Sequence, residues 1–322
     1  MMKKQNIPDI CLLKYGNEIY LSAIMIHFLV FILFYLFIFL ISILPFRIIY
    51  IISDIVFLIL YYVVGYRKKV VLENLSIAFP EKSKDELTLI TKKFYRHFTD
   101  IFMETIKSFT ISEKQLKQRV VLTNPELPDA YYDNNQSVMI LSGHYANWEW
   151  VSSVVETSIK YNLSVAYKKI SNKYIDKLFK RNRNKFGVTP VSSKEFYSYI
   201  LSNLKNENYQ AYGFIADQSP NFNKIKYWGT FMGVEVPIIN GPEAIARKLN
   251  LPVFYFRTER VKRGFYQSTF VLLEEKPKKA EPNQITDRYI LELEKQIRKN
   301  PEYYFWTHKR FKHMHKKPKQ KD

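Results

Sequence analysis

From Ile19 to Phe46 the chain reads IYLSAIMIHFLVFILFYLFIFLISILPF, and His27 is the one residue in that run able to carry a charge. About 20 such residues suffice to cross the hydrocarbon core of a bilayer as a helix. The run therefore predicts a transmembrane anchor over 19–46, preceded by a flank at 1–18. A cleaved signal peptide fits poorly, because its apolar core is roughly 7–15 residues long and a small-x-small site follows it. Pro45 and Arg47 interrupt the run, and a second apolar stretch, IIYIISDIVFLILYYVVGY, continues to Tyr66 with Asp54 inside it. Residues 47–66 read as an interfacial helix, or one packed on the folded domain, in preference to a second membrane helix.

Charge narrows the partners. Lys and Arg number 49 against 30 Asp and Glu, a net charge of +19 that favours anionic partners: acidic lipid, an acidic carrier protein or nucleic acid. The long apolar span and the lack of a recognisable nucleic-acid module argue against nucleic acid. The single cysteine, Cys11, excludes an internal disulfide and any cysteine-based zinc site, which is compatible with a cytosolic face. Arg67, Lys68 and Lys69 just beyond the second apolar stretch are placed as cytoplasmic, headgroup-facing cations would be.

Ser83 and Glu86 form a capping-box pattern that opens a helix through about Ser108. Its apolar positions Leu87, Ile90, Phe94, Phe98, Ile101, Phe102 and Ile106 recur at three and four, so packing is its expected job. Beyond Leu122 short apolar runs alternate with amphipathic stretches. SVMIL (137–141), LSVAYK (163–168), VTPVS (188–192), QAYGFI (210–215), PVFYF (252–256) and FYQSTFVLL (265–273) read as strands, with helices between several of them. The fold class is α/β, a mixed sheet flanked by helices, with one catalytic domain over 67–312 and a disordered basic tail, HMHKKPKQKD, over 313–322.

The stretch MILSGHYANWEW, 139–150, places a histidine directly after one of those strands. Ligand sites of open α/β sheets lie at the carboxyl edge of the strands, which is where the loop carrying His144 falls. On one continuous helix the spacing His-x4-Glu would rotate Glu149 about 140° away from His144, but across a loop-to-helix junction the two can meet. An imidazole steadied by a carboxylate abstracts protons near neutral pH, so His144 is the expected base and Glu149 its orienter. Asn147 is placed to cap the following helix. No Gly-x-Ser-x-Gly elbow and no catalytic cysteine offers a covalent nucleophile, so the base would act on a substrate hydroxyl. A hydroxyl attacking an activated acyl group at a membrane describes a lipid acyltransferase, a reaction that needs no metal and no bound cofactor.

GHYANWE at 143–149 resembles the His-x4-acidic motif of the glycerolipid acyltransferase superfamily. Further blocks are similar, in order, to the late lipid A biosynthesis (lauroyl/myristoyl) acyltransferases. They are GYRKKVVLENLSIAFPE at 65–81, YKKISNKYIDKLFKRNRNKFGVTPV at 167–191, ADQSP at 216–220, GTFMGVEVP at 229–237, GPEAIARKLNLPV at 241–253 and PEYYFWTHKRFK at 301–312. Ala146 stands where many members carry glycine, and Met232 where a second Phe is common. The resemblance implies transfer of a fatty acyl group from acyl carrier protein, as co-substrate, to a hydroxyl of a Kdo-bearing lipid A precursor. It also implies a bacterial inner-membrane enzyme with its catalytic domain on the cytoplasmic side, in contact with membrane lipid.

Lys168, Lys169, Arg181, Arg183 and Lys185 are candidates for anion contact. Arg181 and Arg183 are the preferred pair, because guanidinium forks phosphate bidentately. Asp217 and Gln218, at the end of QAYGFI, are placed to orient substrate or brace the dyad, and Gly241, Pro242 and Glu243 to open a helix. Among the other histidines, His97 is expected on a charged helix face, His308 lacks an acidic neighbour at dyad spacing, and His313 and His315 fall in the tail. Rival readings are an acyltransferase acting on a lysophospholipid or another glycolipid, and a nonenzymatic membrane-anchored anion-binding protein.

Overall fold

The computed structural model describes residues 29–317. The expected membrane anchor is helical where described: α1 spans Leu29–Ser42, and residues 19–28 of that expectation lie outside the described residues, as does the end of the tail. The chain breaks at Pro45 and resumes as α2, Phe46–Leu58, which continues as a π-helical turn over Ile59–Val64. Phe46–Val64 is long and apolar enough to cross a membrane. The end of α1 is secured from elsewhere: Lys107 Nζ donates to the carbonyls of Ser42 and Leu44 at 2.7 and 2.8 Å. A cation there satisfies orphan carbonyls and meets the negative end of the helix dipole.

α3 (Lys68–Ala78) and α4 (Lys84–Lys107) follow, and α4 opens with the expected capping box between Ser83 and Glu86. Leu87, Phe94, Ile101 and Ile106 are buried as expected, whereas Phe102 is exposed. Packing is not the whole job of α4, since His97, Asp100, Glu104 and Lys107 form a buried polar stripe at three- and four-residue spacing. His97 is thus inside the protein and not on a charged surface. Arg260 Nη1 donates to its Nδ1 at 3.0 Å. Burial first, then the neighbouring guanidinium, holds its pKa well below the usual histidine value, so the ring is neutral.

The strands are β1 (Val120–Leu122), β2 (Val138–Ser142), β3 (Asn162–Tyr167), β4 (Thr189–Ser192), β5 (Gln210–Ile215), β6 (Tyr227–Phe231), β7 (Val234–Ile238), β8 (Val253–Lys262) and β9 (Phe265–Glu274). Seven form a sheet in the order β1-β9-β8-β2-β5-β3-β4, parallel throughout except for the β8–β9 hairpin. The mixed α/β sheet expected from the alternation is therefore present. β1 and the β6–β7 hairpin go beyond it, and β8 runs six residues past the expected Phe256. The hairpin turns at Met232 and Gly233, both with positive φ (53° and 79°), the geometry of a tight two-residue connection.

The remaining helices are α5 (Glu113–Arg119), α6 (Glu126–Tyr132), α7 (Trp148–Glu156), α8 (Lys173–Asn184), α9 (Phe196–Lys205), α10 (Gly241–Leu249) and α11 (Gln284–Lys299). Gly241 and Pro242 do open α10, with proline in its first turn, where its missing N–H costs nothing. Central strand β2 is buried except at Ser142, as expected for a parallel strand covered on both faces. The tail is not disordered from its start. His313 is buried, and Lys317 pairs with Glu235 on β7.

Candidate active site

The site forms where β2 and β5 end side by side. Their register pairs Ser142 with Ile215, so His144 and Asp217, each two residues further on, emerge together at the carboxyl edge of the sheet. His144 Nδ1 lies 2.7 Å from Asp217 Oδ1, and the His144 backbone N–H donates to Oδ2 at 3.1 Å. Asp217 is fully buried, while the imidazole stays about one-fifth exposed toward a cavity. Burial disfavours the imidazolium, but the Asp217 charge and hydrogen bond outweigh it, so the His144 pKa lies above its ordinary value. Burial would likewise raise the Asp217 carboxyl, and the contacts to His144 hold it below the usual range instead.

The partner of His144 is thus Asp217, and the expected pairing with Glu149 does not form. Backbone geometry explains the correction. Ala146 turns the chain at φ 51°, Asn147 caps α7 by accepting from the Trp150 N–H at 2.9 Å, and Glu149 falls in the first turn of that helix. There its carboxylate meets α8: Arg183 donates through Nη2 at 2.9 and 3.2 Å and through Nε at 3.3 Å. Both Glu149 and Arg183 line the same cavity as His144. The left-handed turn also gives Ala146 a physical meaning, since glycine adopts that φ without a Cβ clash.

The other anion candidates separate. Lys168 and Gln218 line the cavity, and exposed Lys169 lies next to Lys168 in the chain. Arg181 does not join Arg183: it is exposed and borders a different cleft, with Tyr35, Phe39 and Leu178, because two residues along a helix turn the side chain by about 200°. Lys185 donates to the carbonyls of Ser108, Phe109 and Ile111, a structural clamp.

The cavity itself measures about 380 Å³. Its deep wall is apolar (Ile140, Val151, Leu163, Val165, Phe214, Phe256), and its polar residues cluster about His144, Glu149 and α8. Gly213 on β5 belongs to this wall, and a Cβ there would come within 3.0 Å of Val165.

The segment at Tyr303–His308 straps the loop that carries His144. Phe305 N–H donates to the His144 carbonyl at 3.0 Å, and Ala146 N–H donates to the Tyr303 carbonyl at 2.9 Å. His308 Nε2 accepts from the Ser219 N–H at 3.0 Å, two residues past Asp217. Burial pushes the His308 pKa down to about 4, which leaves that nitrogen free of a proton and able to accept. The strap is in turn fastened to α3, where Asn74 Nδ2 donates to the carbonyls of Trp306 and His308 at 2.7 Å each. Sequence reasoning missed Glu104, a fully buried carboxylate that accepts from Asn147 Nδ2 at 2.6 Å, Tyr266 at 2.7 Å and Tyr50 at 2.8 Å. The three- and four-residue spacing of polar residues on α4 was the available signal.

A family model described as bacterial lipid A biosynthesis acyltransferase matches residues 21–313, nearly the whole chain. The chain belongs to that family. No curated protein matches the chain. In this lipid A biosynthesis acyltransferase the matched region contains both halves of the buried pair, the ion pair on the cavity wall and the closing strap.

Proposed function

We propose that this acyltransferase moves a fatty acyl chain from acyl carrier protein to a hydroxyl of a Kdo-bearing lipid A precursor, with His144 as general base. The observation that carries the mechanism is the His144–Asp217 pair set beside an apolar cavity. With Nδ1–H held by Asp217, Nε2 is the basic nitrogen and takes the proton of the acceptor hydroxyl. The hydroxyl oxygen attacks the thioester carbonyl, the tetrahedral intermediate collapses to the ester, and the imidazolium returns its proton to the departing thiolate. Asp217 keeps the tautomer and stabilises the imidazolium as it forms.

Glu149 acts through Arg183 in this scheme. A guanidinium locked by a bidentate carboxylate stays at the cavity wall, where it supplies positive charge for a developing oxyanion or a precursor phosphate. The backbone N–H groups of His144, Tyr145 and Ala146 are all engaged within the protein, which leaves the loop without those three donors for that task. The apolar wall suits an acyl chain, and Lys168, Lys169 and the net charge of +19 suit both an acidic carrier protein and a phosphorylated acceptor. The enzyme works at the cytoplasmic face of the bacterial inner membrane, held there by its N-terminal apolar helices.

Mass spectrometry of lipid A from cells lacking the gene, complemented with wild type or with His144→Ala, tests the proposal. One acyl chain should be missing, restored by wild type and not by the variant. Unchanged lipid A would redirect the search to lysophospholipid or other glycolipid acceptors.

A further inference from the structure

α2 has two unlike faces. Ile49, Ser53, Phe57 and Tyr61 are buried against the domain, and the polar members of that face are bonded into α4. Ser53 Oγ donates to Asp100 at 2.7 Å and Tyr50 donates to Glu104 at 2.8 Å. The opposite face exposes Ile48, Ile51, Ile55, Leu58, Ile59 and Tyr62 to solvent. Asp54 lies midway along, half exposed, and holds Arg263 bidentately at 2.8 and 2.9 Å.

Cations accompany the helix over its whole length. The Arg119 guanidinium lies 3.3 Å from the ring centre of Phe46, Arg263 4.7 Å from Tyr50, Arg96 5.2 Å from Phe57 and the Lys68 ammonium 3.9 Å from Tyr61. A helix that crosses a bilayer places such groups at its two ends, because charge at the centre is expensive. A helix lying in the interface places them along one side and its apolar strip below. Between α2, α4, the β8–β9 turn and the segment at Glu302 and Tyr303 there is a cavity of about 390 Å³, where Lys93, Arg96 and Lys262 join the Arg260–Arg263 network that Asp54 and Asp100 already neutralise in part, with Glu302 on the wall. Lys93, Arg96 and Lys262 have no carboxylate partner among the described residues.

We infer that α2 lies along the surface of a bilayer instead of crossing it, its apolar strip in one leaflet and Lys93, Arg96 and Lys262 beside it receiving a lipid phosphate. The inference deepens the membrane attachment proposed above and is independent of which lipid is acylated. It makes the whole domain a body resting on the membrane along a line, with its orientation set by the helix and not by a flexible tether.

The test uses the full chain in a Cys11→Ser background, reconstituted into vesicles of phosphatidylcholine with phosphatidylglycerol. Spin labels go singly at Ile48, Ile51, Ile55, Leu58 and Tyr62, and depth is read from relaxation by oxygen against a water-soluble nickel chelate. All five labels at one shallow depth is the expected result. Depth that rises to a maximum near Ile55 and falls again would show a crossing helix and overturn the inference. Shielding from both relaxing agents would show a second copy covering the strip, and would also overturn it. For the phosphate cradle, spin-labelled lipids should show a roughly fivefold or greater preference for phosphatidylglycerol over phosphatidylcholine. Lys93→Ala, Arg96→Ala and Lys262→Ala together should abolish that preference while leaving the depth profile intact. An unchanged preference, or its displacement by inorganic phosphate at millimolar concentration, would remove lipid phosphate from the cradle. Lipid A analysis of the same variants reports separately on acyl transfer, so failure of this inference and failure of the proposed reaction are distinguishable.

Discussion

Replacing Asp217 by Asn keeps the size of the side chain and removes its charge. The wild-type carboxylate meets His144 at 2.7 Å inside the protein, so in the proposed reaction the imidazolium is stabilised where water screens little. With the charge centres about 4 Å apart and an effective dielectric of about 20, Coulomb's law gives ~4 kcal/mol. At roughly 1.4 kcal/mol per decade of rate, that is a loss of about a thousandfold in kcat/KM. The amide also donates as readily as it accepts, which permits the wrong imidazole tautomer. The assay is single-turnover transfer of a radiolabelled acyl chain to a lipid A precursor by purified protein in detergent, with binding of the precursor measured separately. Binding should change little while the rate collapses. A rate within fivefold of wild type would refute Asp217 as the orienting group, and if Glu149→Gln alone were inactive the original His-x4-Glu pairing would return.

Further consequences can be checked in the same preparations. The pH profile of kcat/KM should rise through a pKa above the ordinary histidine value of 6.5, because His144 must be neutral to act as base, and Asp217→Asn should move that limb to lower pH. Glu149→Gln and Arg183→Lys should each lower turnover by roughly ten- to a hundredfold, and the double variant should cost little more than either single one, since the pair works as a unit. Buried Glu104 is pushed up to about 7, first by desolvation and then by Asp100, from an ordinary 4.5. The folded state then binds the extra proton, so stability should fall by about 3 kcal/mol as pH rises from 4.5 to 7, a slope that Glu104→Gln should remove in thermal unfolding scans. Ala146→Val should destabilise by ~2–3 kcal/mol, because a β-branched residue is forced to φ 51°, whereas Ala146→Gly should stay within about 1 kcal/mol of wild type.

Much of the architecture was legible because its signals are local. Alternating apolar runs announce β2, β3, β5 and β9 within a residue or so of their ends, and Ser83 with Glu86 marks the start of α4. β1 escaped because three residues carry no period, and the β6–β7 hairpin was noticed as a motif without its strands being read. The position of His144 was readable from the strand before it. Its partner was not, because His144 and Asp217 are separated by 73 positions and meet through the lateral register of two parallel strands. Glu149 is the nearer acid in the chain, but the turn at Ala146 aims it at α8. Asp100 and Glu104 were obscured differently, since carboxylates on an amphipathic helix ordinarily mark its wet side, and here they lie against α2 and the loop that carries His144.

The strap over the His144 loop carries a consequence for biosynthesis. The carbonyl of His144 and the N–H of Ala146 find their partners in Phe305 and Tyr303, about 160 positions later in the chain, so they are made well after the loop they hold. α1 and α2 precede the sheet in the chain, so on the proposed attachment they can engage the membrane while the sheet is still being made. On that proposal the lipid surface is reached before the His144 loop is strapped. A product terminated ahead of Tyr303 would be delivered to the right place as an inert body, competing with the finished enzyme for membrane area but not for substrate turnover.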